Sequence, residues 1–109
     1  MKAAVYFIDN DAKQAFLALA SAKAEDRDVS DLLNAAFDAI ARDAFCGIQV
    51  PKRLIPRQYL ADYGIDNLWK YNLSRNRRLM YTVAGDGTQV IALIIEWLPH
   101  KEYERRFGY

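Results

Sequence analysis

The stretch that decides the fold is Leu68-Trp69-Lys70-Tyr71-Asn72-Leu73, followed by Ser74-Arg75-Asn76 and then Arg78-Leu79-Met80-Tyr81-Thr82-Val83. Its first run alternates: Trp69, Tyr71 and Leu73 share one side and Lys70 and Asn72 the other, which is the period of a half-buried strand. The polar Ser74-Arg75-Asn76 reads as a turn and Arg78–Val83 as the returning strand. Pairing Leu73 with Arg77 sets Asn72 opposite Arg78 and Lys70 opposite Met80. Lys70, Asn72 and Arg78 then lie on one sheet face, with Lys70 and Arg78 as diagonal neighbours.

Working outward from this hairpin, Gly85-Asp86-Gly87 predicts a second hairpin through a type I′ turn. The run Gln89–Trp97 is apolar on both faces, as in a central strand covered on both sides. Pro99 stops it, and His100–Arg106 is a charged tail with room for one or two helical turns. In the other direction, Gly47 and Pro51 end a helical part, and Pro56 interrupts the basic segment Lys52–Arg57, which reads as loop or at most one turn.

Ahead of that, Ala3–Ile8 reads as an opening strand, and Asp9, Asn10 and Asp11 supply helix-start chemistry. One helix carries Ala12, Ala15, Phe16, Leu19 and Ala22 on a face. A second, capped by Asp28 or Ser30, carries Leu33, Ala36, Phe37, Ile40 and Ala44, with a connecting loop near Glu25–Arg27. The order β-α-α-β-β-β-(α) predicts an α+β fold: a helix hairpin packed on one face of a mostly antiparallel four-stranded sheet.

With 109 residues, 52% of them hydrophobic, and only five Gly and three Pro, residues 1–109 read as a single packed domain. The lone Cys46 excludes an internal disulfide framework and fits a reducing cytoplasm. The apolar run Val90–Ile95 is far short of the ~20 residues that span a bilayer, and the start of the chain meets Asp9 too soon for a signal peptide. The expectation is a cytoplasmic protein with no membrane partner.

The net charge of +1 hides an asymmetry, because residues 1–45 carry −3 and residues 46–109 carry +4. A basic half steers an anionic partner, although a solvated charged face gives the same count. Two strand-borne cations aimed at one point suit a phosphate, Arg78 offering a planar fork and Lys70 a mobile point charge. Taken alone, they are equally compatible with ordinary solvent-facing sheet residues. His100 is the only histidine, and a free imidazole titrates at about 6.5, within reach of neutral pH. Tyr103 follows at helical spacing, so the pair either does chemistry or packs on the sheet edge. One His and one Cys give no metal ligand set, neither Ser21, Ser30 nor Ser74 sits in a nucleophile elbow, and no Gly-rich loop cradles a nucleotide. No cofactor is expected.

With Asn67–Leu73, Arg78–Val83 and a strand running into His100-Lys101-Glu102-Tyr103, the chain resembles the RelE/ParE toxin superfamily of type II toxin-antitoxin systems. RelE-like members are ribosome-dependent endoribonucleases, or mRNA interferases, that cut messenger RNA and inhibit translation; ParE-like members poison DNA gyrase. The resemblance implies catalytic roles for Lys70, Arg78 and Tyr103, with His100 standing where related branches place a histidine. Asn72 departs from members that carry a second lysine there, which leaves the general base open.

Metal-free cleavage needs the 2′-hydroxyl deprotonated, the phosphate stabilised and the 5′-oxygen protonated. In that scheme Arg78 grips the phosphate and Lys70 adds charge or accepts the proton. His100 or Tyr103 donates, unless Tyr103 stacks on a base. Asn72 lies at the same site, and Lys52, Arg53, Arg57, Arg75, Arg77, Arg105 and Arg106 would hold RNA and ribosome backbone phosphates. A cognate antitoxin, ribosome and messenger RNA are the implied partners, the antitoxin covering the basic groove and an exposed aromatic tail. The alternatives are a gyrase-inhibiting toxin, a catalytically degenerate member that binds antitoxin and nucleic acid, and a housekeeping RNA-binding protein.

Overall fold

The computed structural model describes residues 1–20 and 23–108. It is an α+β fold with five strands: β1 (Ala3–Phe7), β2 (Ile48–Gln49), β3 (Trp69–Ser74), β4 (Arg77–Gly85) and β5 (Val90–Pro99). They form one mixed sheet in the order β1-β5-β4-β3-β2. β1 runs parallel to β5, and the other three pairings are antiparallel. The expected four-stranded sheet is thus enlarged by β2, a two-residue edge strand too short to leave a periodic signal.

Helices α1 (Asn10–Leu19) and α2 (Ala24–Arg42) lie on one face. Asp9 caps α1 as expected, its side chain accepting from the Ala12 amide at 2.9 Å. α2 begins earlier than expected: Glu25 and Asp26 form its first turn, where the helix dipole favours acids, and Asp28 and Ser30 fall inside it rather than capping it. The connection therefore precedes Ala24 instead of occupying Glu25–Arg27. This extra turn brings Val29 into the core beside Leu33, Ala36 and Ile40. Phe16, Leu19 and Phe37 pack against that core from the helices, but Ala15 is exposed. Ala44 is buried in the loop beyond the helix end. Ala22 and Ser21 lie outside the described residues.

The opposite face is covered too, by α3 (Arg57–Tyr63) and α4 (His100–Phe107), which corrects the one-sided layering. Leu79 and Tyr81 of β4 enter the core under α2, whereas Met80 between them joins Tyr59, Ile95, Leu98 and Tyr103 in a second core. β5 is therefore covered on both sides, as its apolar run predicts. The basic segment Lys52–Arg57 holds the single turn expected of it, but it leads into α3, which the sequence reading does not anticipate. Pro51 precedes a 3-10 turn (Lys52–Leu54), Pro56 precedes α3, and Pro99 precedes α4. At a helix start the missing N–H costs nothing and the fixed φ is already suitable, so these residues start turns rather than break them.

Two irregularities adjust the sheet. Between β4 and β5 the register shifts so that Met80 faces Glu96 and Tyr81 faces Ile94. Ile95 is the additional residue, and beyond it the alternation is reset, so that Glu96 and Leu98 turn toward α4. The β4–β5 connection is not the predicted type I′ turn, which needs positive φ at both central residues. Gly87 has φ 88°, but Asp86 does not have a positive φ. Instead Gly85 faces Val90 across a longer loop, and the Asp86 carboxylate accepts from the Thr88 hydroxyl (2.7 Å) and from the Thr88 and Gln89 amides (both 2.9 Å). These bonds, led by the Thr88 hydroxyl, hold the Asp86 pKa down at about 2. No helix among the described residues is long and apolar enough to cross a membrane.

Two core tyrosines predict the alkaline limit of the fold. Burial pushes the Tyr59 hydroxyl above its ordinary value, reinforced by the Glu96 charge, and burial does the same to Tyr81. Unfolded tyrosines ionise at about 10, so stability is complete below that pH and falls as pH rises beyond it, where the unfolded chain releases protons that the folded one retains. Phenolate absorbance followed alongside circular dichroism is expected to show these two rings ionising only with unfolding. Their free titration in a folded chain would contradict the burial argument.

Candidate functional site

The β3–β4 hairpin closes through Arg75-Asn76, with Lys70 opposite Met80 and Asn72 opposite Arg78, as the alternation predicts. The difference is at the turn, where Ser74 rather than Leu73 faces Arg77. That shift leaves Leu73 buried with the α2-side core and leaves Lys70 and Arg78 on the α4 side of the sheet.

There the two cations meet Tyr103. Lys70 Nζ donates to the Tyr103 hydroxyl at 3.0 Å and lies 5.2 Å from the ring centroid, and the Arg78 guanidinium carbon lies 5.8 Å from it. Ring quadrupole and hydroxyl together attract both charges, which gathers side chains that would otherwise repel. Arg78 Nη1 donates to the carbonyls of Ser74 (3.1 Å), Arg77 (3.2 Å) and Arg75 (3.3 Å). The guanidinium is thereby anchored through one nitrogen, while Nη2 and Nε make no hydrogen bond among the described residues. Asn72 is exposed beside it.

Tyr103 is not the exposed tail residue that the sequence suggests. It is 3% exposed and stacks on Phe107 at 4.6 Å, so with cations near its ring it has no open face for a base. Its contribution here is the hydroxyl that holds Lys70.

His100 is engaged at the hairpin turn and within its own helix. Its amide donates to the Asn76 carbonyl at 2.7 Å, which fastens the start of α4 to the hairpin turn. Its exposed imidazole places Nε2 2.6 Å from Glu104 Oε1, one helical turn on.

The remaining cations divide by their partners. Lys52, Arg53 and Arg57 are exposed on the 3-10 turn and the start of α3, and Arg75 is exposed in the hairpin turn, with Arg77 half-buried beside it. Arg105 pairs with Glu102, and Arg106 pairs with both Glu96 and Glu102 while lying over the Tyr59 ring. Burial works against the Arg106 charge, but Glu96 and Tyr59 outweigh it and hold its pKa above the ordinary value. Arg106 is therefore a structural cation between α4 and β5. Glu96 gave no sequence signal, since it reads as an interruption in an apolar strand.

No protein-family model, curated protein or solved structure matches the chain.

Proposed function

We propose that the protein is an RNA-cleaving toxin of the RelE/ParE kind, a metal-independent endoribonuclease that acts on ribosome-bound messenger RNA and is restrained by an antitoxin. The observation that carries this reading is the convergence of Lys70 and Arg78 on Tyr103, on a surface flanked by Asn72 and Arg75. Arg78, anchored through Nη1, has its other nitrogens to grip the scissile phosphate and stabilise its pentavalent state. Lys70 adds charge or, when neutral, takes the 2′-hydroxyl proton as that oxygen attacks phosphorus, and the 5′-oxygen departs with a proton taken from solvent water. Tyr103 positions Lys70. Lys52, Arg53, Arg57 and Arg77 supply phosphate contacts that read no sequence.

The test is inducible expression with mapping of messenger RNA ends, run beside a gyrase supercoiling assay. New ends on translated messages with normal supercoiling support the proposal. Blocked supercoiling with intact messages replaces it with the gyrase reading, which is favoured by the pairing of His100 with Glu104 instead of with the Lys70 group. Copurification of a small partner that abolishes toxicity is expected for the antitoxin.

A second expectation separates the proton-transfer candidates. Tyr103→Phe removes the hydroxyl that fixes Lys70 and is expected to slow single-turnover cleavage by roughly 10²-fold, the usual effect of losing alignment, and to shift its pH profile. His100→Gln is expected to leave both unchanged. A flattened profile in His100→Gln would return the donor role to the histidine.

A further inference from the structure

On the α2 side of the sheet, the loop after α2 is fastened tightly. The Asp43 carboxylate accepts from the Phe45 amide at 3.0 Å, and the Ala44 amide donates to the Met1 carbonyl at 2.8 Å. The Tyr81 hydroxyl donates to the Ala44 carbonyl at 2.8 Å and accepts from the Gly47 amide at 3.1 Å. What this loop holds forward is an apolar ring, Phe45, 44% exposed. Phe45 leans on Trp69 (centroids 5.3 Å apart), which stacks on Tyr81 at 6.3 Å. Phe45 and Trp69 line an open groove of about 370 Å³ together with Gln49, Lys52, Asp66 and Asn67.

We infer that this groove binds a guanine base of single-stranded RNA. An exposed ring already fixed by its loop loses little freedom on binding, and nucleobases stack readily on such rings. The polar groups select the base. Asn67 is locked by its bonds to the Val83 carbonyl (2.8 Å) and amide (2.9 Å) and to the Thr82 hydroxyl (3.1 Å). It donates in turn to Asp66 Oδ1 at 2.8 Å, which orients an exposed carboxylate at the groove. Guanine alone among the four bases presents a ring N–H and an exocyclic amine side by side, the donor pair a carboxylate accepts. Gln49, which faces Trp69 across the β2–β3 pairing, offers an amide donor for the guanine carbonyl, and Lys52 a charge for the phosphate. The choice of RNA as the ligand rests on the reading of the hairpin as an RNA-cleaving site, but occupancy of the groove does not require cleavage.

The test uses the full chain carrying Trp97→Phe, so that Trp69 is the sole tryptophan, with the Trp69 indole resonance of the unsubstituted chain followed by NMR as an independent readout. The probes are hexauridine oligonucleotides carrying one central guanine, adenine or cytosine. The guanine oligonucleotide is expected to quench Trp69 saturably and to bind at least ~10-fold tighter than the others, Asp66→Asn to erase that preference, and Phe45→Ala to weaken binding roughly 5- to 100-fold, the range of one base stack. Equal response to all three oligonucleotides, or none to any, overturns the assignment. A Trp69 response with no new message ends on expression leaves the groove and removes the catalytic reading; new message ends without a Trp69 response do the reverse.

Discussion

Arg78→Ala is expected to abolish growth inhibition and to lower RNA cleavage by at least ~10²–10³-fold, the scale of losing one preorganised donor to a developing oxyanion. No other residue on the hairpin combines a planar fork with the anchorage that Arg78 draws from the Ser74, Arg75 and Arg77 carbonyls. The Ser74 and Arg75 carbonyls face solvent and are resolvated by water, so the variant is expected to lose no more than about 1 kcal/mol and to stay folded. Arg78→Lys keeps a charge without the fork and is expected to recover only part of the activity. Mapping of message ends with a thermal melt on each variant checks both statements. Wild-type toxicity in a folded Arg78→Ala protein would remove the hairpin face from the mechanism.

Gly47→Ala is expected to destabilise the chain by about 1–3 kcal/mol, the usual cost of overpacking, which for a domain of this size lowers Tm by roughly 5–20 °C. A Cβ at this position would lie 2.6 Å from the Lys70 carbonyl oxygen and 2.7 Å from the Tyr81 hydroxyl. Neither neighbour yields easily: the first is strand backbone, and the second is held by its bonds to Ala44 and to Gly47 itself. Relief requires movement of β3 at Lys70 or of the Phe45 loop, so phosphate binding or Trp69 stacking is expected to weaken together with stability. An unchanged melting temperature would show that the loop gives way freely and would remove the basis for a rigid Phe45.

The sequence made the hairpin legible because its alternation is confined to one register: a slip of one residue would expose Trp69, Tyr71 and Leu73 and bury Lys70 and Asn72. The shift at Ser74 was hidden because it changes only the turn, where burial does not select. α3 is not legible because Pro56 reads as a breaker, although a proline directly before a helix has the opposite effect. Within the site, the shared face of Lys70, Asn72 and Arg78 follows from strand geometry alone, whereas the roles expected of them come from the resemblance. Their meeting with Tyr103 depended on the angle at which α4 returns over the sheet, which no local pattern encodes. The basic residues are not separable by sequence pattern. Arg105 and Arg106 look like Arg75 in sequence, and only the acids opposite them, Glu96 and Glu102, show that they are already engaged.

The parallel pairing of β1 with β5 joins Ala3 to Val90 and Phe7 to Ile94, partners that lie nearly a whole chain length apart. The β3–β4 hairpin, by contrast, closes over two residues. Loop-closure entropy makes the first contact slow to form and the second fast, so two pairings of one sheet assemble on different timescales. Refolding is expected to organise the hairpin that carries Lys70 and Arg78 early and to add β1 as the late step. Substitutions at Val5 then speed unfolding without slowing folding, whereas those at Leu79 slow folding itself.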